Sequence, residues 1–217
     1  MYDTKDKTYF KQIRTPLLDL IPEENRNGNV LEVGAAAGDT MIYAKENGYA
    51  NKIFGIELTE VPDSNQNNSN FEKFIIGNIE NLNIPFQNNF FDVIIMGDVL
   101  EHLVDPYTVV NNMKKYLKPN GVVIASIPNV RNLKTFRNIY LRKSFNYSDQ
   151  GIFDKTHLRF FTKKDTRALF EDEGYYVLDV ISNLKFRKSS VATKNKLTFG
   201  LFEEFWTKQY FAIAKKI

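Results

Sequence analysis

Three sets of residues in this chain have types and spacings that could do chemistry. The first is Glu-Val-Gly-Ala-Ala-Ala-Gly at 32 to 38, in which Glu32 stands before a turn made of Gly34, Ala35, Ala36, Ala37 and Gly38. Side chains this small let a ligand approach the peptide groups, and Glu32 can accept hydrogen bonds from a bound cation. Glu57 follows at the tip of the apolar run 52 to 58. An acidic residue about 20 positions after a glycine turn can grip both hydroxyls of a ribose, because its two acceptor oxygens match the spacing of a vicinal diol. The second set is His102 and His157, the two histidines of the chain, whose side chains titrate near neutrality and suit proton transfer. The third is basic. Residues 106 to 148 hold no Asp or Glu but include Arg131, Lys134, Arg137, Arg142 and Lys143, interleaved with Phe136 and Tyr140. That pattern reads either as a solvated face or as a lid that attracts phosphate. Lys185, Arg187, Lys188, Lys194 and Lys196 form a second acid-free cluster.

The elements that must position these residues alternate in type. Val30, Leu31 and Val33 form a strand, and a helix begins near Asp39 or Thr40 and runs to about residue 47, where Gly48 stops it. Residues 52 to 58, 74 to 76, 90 to 96 and 122 to 127 read as further strands. Residues 59 to 70, rich in Asn, Ser and Asp around Pro62, read as a loop that leaves an opened or shortened wall. Gly97, Asp98, Pro128 and Asn129 then fall at carboxyl ends of strands, where open α/β sheets bind ligands. A helix is expected over 107 to 117, and another from 161 to 173 capped by Thr162 with Asp165 three residues on. Residues 175 to 182 and 209 to 215 read as a final antiparallel pair with a helical segment, 199 to 206, between them. At the amino end, residues 9 to 21 read as a short helix or helix pair broken by Pro16. There Tyr9 and Arg14 could form a lid, with Arg14 offering a fork of donors to a carboxylate.

With 217 residues, 43% hydrophobic and 14% aromatic, the chain can bury one sizeable core and reads as a single domain. The absence of cysteine excludes disulfides, zinc–thiolate sites and cysteine nucleophiles. No run is long enough to span a bilayer and no apolar signal region opens the chain, so a cytoplasmic location is expected. A net charge of +3 is too small to imply nucleic acid.

The small-residue turn with Glu57 resembles the first two motifs of the class I S-adenosylmethionine-dependent methyltransferases, with Ala36 in place of the usual middle glycine. The run Val-Leu-Glu-His-Leu at 99 to 103 resembles their fourth motif. Asp-Lys-Thr-His-Leu-Arg-Phe-Phe-Thr at 154 to 162 is similar to a signature of methyltransferases found beside glycosyltransferases in bacterial surface-polysaccharide clusters. Residues 9 to 22 match that group too, so the resemblance covers nearly the whole chain. It implies an α/β Rossmann-like fold with a seven-stranded, mostly parallel sheet of order 3-2-1-4-5-7-6 and helices on both faces. Residues 1 to 27 would form a helical lid and 129 to 161 an acceptor-side insertion. S-adenosyl-L-methionine would be the cofactor and S-adenosyl-L-homocysteine its product. Glu32, Gly34, Ala35, Ala36, Gly38, Gly97, Asp98 and Arg14 would hold its methionine side, Glu57 and Leu58 its ribose, Asn78 and Ile79 its adenine.

The acceptor implied is a small molecule, such as a sugar or nucleotide-linked sugar hydroxyl in surface-glycan biosynthesis, contacted by Asn129, Arg131, Arg137, Arg142 and Arg159. His157 would be the base, or a positioning residue held by Asp154, and His102 a cofactor-side or second catalytic group. Arg159 could instead pair with Asp154. No metal is expected, because the carboxylate-rich spacing of metal-dependent O-methyltransferases is missing, although Asp98, Glu101, His102 and His157 could form such a set. Two other readings stand beside this one: a quinone-like O-methyltransferase, favoured by an apolar acceptor pocket, and a non-catalytic cofactor-binding subunit that regulates a partner. The oligomeric state is left open.

Overall fold

Parallel strands buried on both faces need near-continuous apolar runs, and β1 (Gly28–Val33) and β4 (Phe91–Gly97) supply them at the centre of one sheet. The computed structural model describes residues 13–186 and 190–217. Beside these strands lie β2 (Ala50–Glu57), β3 (Phe71–Ile76), β5 (Leu117–Pro128), β6 (Tyr175–Ser182) and β7 (Gln209–Lys216), in the order β3-β2-β1-β4-β5-β7-β6. Pairing from β3 to β5 is parallel, and β7 runs antiparallel to both of its neighbours. Fold class and strand order are those expected from the resemblance.

Successive residues of a strand face opposite ways, which splits the core in two. Leu31, Val33, Ile94, Met96, Val123 and Ala125 pack on one face with α3 (Pro106–Lys114) and α5 (Lys163–Glu171). Val30, Ile53, Val93, Ile95, Val122 and Ile124 pack on the other with α1 (Thr15–Leu18) and α2 (Asp39–Glu46). Helices therefore cover both faces. Among the described residues no helix is long and apolar enough to cross a membrane.

Several boundaries differ from expectation for physical reasons. Pro16 does not break a helix but stands in the first turn of α1, where a missing N–H costs nothing. Tyr9 lies outside the described residues. Residues 117 to 121 do not end in a turn before β5; Leu117 pairs with Phe91 and Val122 with Val93, so the extra residues bulge within one long strand. Between β6 and β7 stand two helices, α6 (Ser190–Leu197) and α7 (Glu203–Trp206), where one segment was expected. The segment 129 to 161 contains α4 (Leu133–Phe136) and a π-helical turn (Arg137–Leu141), and it is closed at its base where the Val130 N–H donates to the Phe161 carbonyl at 2.9 Å.

Thr162 caps α5 as its sequence suggests: the Asp165 N–H donates to Thr162 Oγ1, and the Thr162 N–H donates to Asp165 Oδ2. Thr162→Ala is expected to cost about 1 kcal/mol of stability, read as a lower denaturation midpoint with an unchanged slope.

Candidate active site

The turn after β1 is shaped by two left-handed glycines and one left-handed alanine. Gly34 has φ of 72°, and a Cβ there would meet Val99 Cγ2 at 2.4 Å, so only glycine fits. Gly38, at φ of 85°, precedes α2. Ala36 adopts φ of 48°, a region that disfavours L-residues. It is held there from two sides: its N–H donates to Glu57 Oε2 at 2.7 Å, and its carbonyl accepts from Gln66 Nε2 at 2.8 Å. Gln66 is buried, and its Oε1 also accepts from the Val61 N–H. The polar loop 59 to 70 has no helix, as expected, but it is pinned by this amide and by the Asn65 N–H donating to the Ala37 carbonyl at 2.8 Å. Gln66 was missed in the sequence, where it stands inside a run of turn-forming residues with no apolar neighbour to mark it as buried.

A cavity of about 370 Å3 opens over the carboxyl ends of β1 to β4. The structure brings together there Arg14, Gly34, Ala36, Glu57, Leu58, Asn78, Ile79, Gly97 and Asp98. Glu57 takes one backbone N–H on each oxygen, from Ala36 and from Leu58, which fixes its orientation and leaves acceptor capacity toward a diol. Gly97 is kept small by Arg14, whose Cδ would stand 2.7 Å from a Cβ. Ala35 and Gly38 support the turn from behind and do not line the cavity.

Glu32 lies wholly buried beneath this turn. Arg14 Nη1 donates to Glu32 Oε1 at 3.1 Å and to the Gly34 carbonyl at 3.3 Å, so Arg14 is committed to the protein's own acceptors as well as lining the cavity. Glu32 Oε2 has no hydrogen-bond partner among the described residues. Burial pushes this carboxyl up from 4.5 to about 7, against the pull of Arg14. Asp98, at φ of 56°, is held by Gln209 Nε2 donating to its carboxylate and by its own N–H donating to Ser126 Oγ. Its carboxyl is also raised by burial, with Arg14, Ser126 and Gln209 opposing.

Across Asp98 and His102 lies a second cavity of about 410 Å3. Glu101, His157 and Asp154 face it, together with Asn132, Gln150, Asn183, Gln209, Lys134 and Lys208. The loop carrying His157 is latched in place, because the Leu158 and Arg159 N–H groups both donate to the Glu101 carbonyl, at 2.8 and 3.0 Å. Asp154 accepts from Thr156 N–H and Oγ1, and its carbonyl accepts the His157 N–H at 3.0 Å.

The five residues expected to contact an acceptor line neither cavity. Asn129 is buried, donating to the carbonyls of Glu204 and Thr207 and accepting the Arg131 N–H, so its amide ties β5 to the segment before β7. Arg131 pairs with Glu204 at 2.7 Å. Arg159 donates to the Val104 carbonyl. Arg137 and Arg142 stand in and beside the π-helical turn on the surface. Lys134 and Lys208 occupy the cavity wall instead; nothing in the spacing of surface lysines distinguishes these two.

The residues present fit S-adenosylmethionine. A diol-spaced carboxylate with fixed oxygens, a turn that only small residues can make and a buried carboxylate oxygen lacking a donor suit a ligand with a ribose and a cationic end. A family model described as "Methyltransferase domain" matches residues 6–180. The chain is similar to demethylmenaquinone methyltransferase of Staphylococcus aureus, 21% identical over 165 residues, a match covering 67% of this chain and 66% of that relative. The chain thus spans somewhat less than two thirds of the relative's length. In fold it is similar to a SAM-dependent methyltransferase from Archaeoglobus fulgidus, with a TM-score of 0.61 and 19% identity over 97% of this chain and 95% of that one. It is also similar to Haemonchus contortus phosphoethanolamine N-methyltransferase 2 in complex with S-adenosyl-L-methionine, with a TM-score of 0.62 and 13% identity over 93% of this chain and 51% of that one.

The buried Glu32 makes stability depend on pH in a definite direction. Between pH 4.5 and about 7 the folded protein holds a proton that the unfolded chain has released, so this group's contribution falls as pH rises through that window. The loss is on the order of 3 kcal/mol. Glu32→Gln is expected to remove this slope from urea denaturation measured between pH 4.5 and 8; an unchanged slope would place the ionisation elsewhere.

Proposed function

The chain belongs to the methyltransferase domain family, and from that premise we propose that it transfers a methyl group from S-adenosyl-L-methionine to a hydroxyl of a sugar or nucleotide-linked sugar, as in surface-glycan biosynthesis. The observation that carries this reading is the meeting of two unlike cavities at Asp98 and His102. One has the carboxylates and the small-residue turn that suit the donor. The other is walled by amides, by Lys134 and Lys208, by both histidines and by the carboxylates of Asp98, Glu101 and Asp154.

S-adenosylmethionine supplies an electrophilic methyl carbon on a sulfonium, and methyl transfer from it is an in-line displacement whose main demand on a protein is positioning. Glu57 would bind the ribose hydroxyls, Asn78 and Ile79 would border the adenine, and Gly34 and Gly97 would admit the methionine part close to the backbone. Glu32, buried beneath the turn, would hold Arg14 in place against the Gly34 carbonyl at the edge of the donor cavity. Asn132, Gln150, Asn183 and Gln209 offer donors and acceptors to the hydroxyls of a sugar, and Lys134 and Lys208 attract an anionic group such as phosphate. His157 and His102, at the junction, activate the acceptor hydroxyl.

A quinone-like acceptor is favoured by the similarity to demethylmenaquinone methyltransferase. Most side chains lining the second cavity are polar or charged, with Pro128 and Ile152 the apolar ones among them, which supports the sugar, while carbon atoms supply the larger share of its surface. The direct test is calorimetric titration with S-adenosylmethionine followed by a methyl-transfer screen against nucleotide sugars and demethylated quinols. Micromolar donor binding and methylated sugar are expected. Transfer to quinols alone would overturn the acceptor, and no donor binding by correctly folded protein would overturn the methyl-transfer reading and leave a non-catalytic subunit that keeps the fold alone.

Two variants separate the roles. Glu57→Ala is expected to weaken donor binding by about 1.5–3 kcal/mol, the worth of hydrogen bonds to a charged group, measured by the same titration. His157→Ala is expected to lower turnover by roughly 100-fold or more with the donor dissociation constant unchanged; full activity would remove His157 from acceptor activation.

A further inference from the structure

The two histidines of the chain are far apart in sequence and together in space, with rings meeting edge to face at a centroid distance of 4.8 Å. Glu101 joins them. One potential ligand atom from each of Glu101, His102 and His157 lies within 4.8 Å of the others. We propose that these three side chains bind a divalent transition-metal ion at the junction of the two cavities.

Proximity is not the only support. His102 Nδ1 lies 3.1 Å from the Thr156 carbonyl oxygen, and His157 Nδ1 lies 3.2 Å from the Ile152 carbonyl oxygen. A carbonyl oxygen only accepts, so each Nδ1 carries the hydrogen, and in the neutral imidazole Nε2 is then the nitrogen with the lone pair. Metal-binding imidazoles are characteristically oriented this way, by a backbone carbonyl or carboxylate on the far nitrogen. His157 Nε2 stands 4.0 Å from Glu101 Oε1. Neighbouring ligand atoms of a tetrahedral zinc-sized ion, with bonds of about 2.1 Å, stand about 3.4 Å apart, so side-chain movements of about an ångström close the site.

The frame around the three residues is rigid. Glu101 and His157 are 1% and 8% exposed, and the Glu101 carbonyl takes the N–H groups of both Leu158 and Arg159, which fixes His157 against the turn that carries Glu101 and His102. Two imidazoles and one carboxylate suit manganese, iron, cobalt or zinc rather than magnesium or calcium, which prefer oxygen ligands alone. Three protein ligands leave coordination positions open. His102 borders both cavities, so those positions adjoin the space where donor and acceptor sites meet. There the ion would grip an acceptor hydroxyl and lower its pKa, the proton passing to solvent while both imidazoles serve as ligands. That role rests on the methyl-transfer reading; the binding of the ion does not.

With two histidines, the chain gives two imidazole Cε1–H resonances, and no variant is needed for the first test. Tag-free protein stripped with chelator is titrated with Mn(II) and observed by proton NMR. Both resonances are expected to broaden together at substoichiometric Mn(II), and calorimetry with Zn(II) is expected to give one site per chain. His102→Gln and His157→Gln are each expected to lower Zn(II) affinity at least 10-fold. Resonances that stay sharp in excess Mn(II), or broadening of one alone, would overturn the proposal, as would wild-type Zn(II) affinity in the doubly substituted chain. Neither measurement contains donor or acceptor, so failure of the methyl-transfer reading would leave both results intact.

Discussion

One carboxylate, that of Glu57, joins the ends of two neighbouring strands and sets the shape of the site. By accepting the Ala36 N–H at 2.7 Å and the Leu58 N–H at 2.7 Å, it ties the turn after β1 to the tip of β2. Magnitudes show why an alanine can stand where related turns have glycine. A left-handed alanine costs about 1–2 kcal/mol, whereas a hydrogen bond to a charged group contributes about 1.5–3 kcal/mol, and Gln66 adds a second bond to the Ala36 carbonyl. Once that conformation is fixed, the backbone presents itself to a ligand with nothing larger than a methyl group in the way. The loop 59 to 70, which lacks the apolar residues to pack as a helix, serves here as a clamp through Gln66 and Asn65.

The second organising contact is a backbone one. The Glu101 carbonyl accepts two N–H groups from the loop at 158 and 159, and Arg159 reaches the Val104 carbonyl. Much of the Asp-Lys-Thr-His-Leu-Arg run is therefore spent on holding itself: Asp154 on Thr156, Lys155 on Asp149, Arg159 on Val104. What this fixes is His157, placed against His102 and Glu101 at the point where the two cavities meet. Charged residues in a distinctive stretch can thus be spent on holding a neighbouring side chain in place.

The same distinction explains the basic segment. Arg131 is neutralised by Glu204, and Arg137 and Arg142 lie at the surface. The cations that line the second cavity, Lys134 and Lys208, come from α4 and from the residue before β7, two places the chain order separates widely. Their meeting depends on β7 inserting between β5 and β6, which brings residues 208 and 209 beside the end of β5, where the Asn129 N–H donates to the Lys208 carbonyl.

The sequence by itself determined what depends on local pattern: the apolar runs of β1, β4 and β6, the capping of α5 by Thr162 and Asp165, the small-residue turn and the acidic tip of β2. Each of these is set by residues within a few positions of one another, or by a motif of fixed spacing, so it is readable before folding. Pro16 shows the limit even there, since the same residue breaks a helix from inside and begins one from its first turn. Only the tertiary structure decided which charges face a cavity, that Asn129 ties β5 to the segment before β7, that Gln66 holds Ala36, and that the two histidines touch. These are contacts between residues 30 to 111 positions apart, from Gln66 with Ala36 to Gln209 with Asp98, and side-chain geometry at that separation is fixed by how the strands order and the loops close. A linear pattern records residue types and spacings; it carries no information on which partner will consume a donor or an acceptor once the chain is folded.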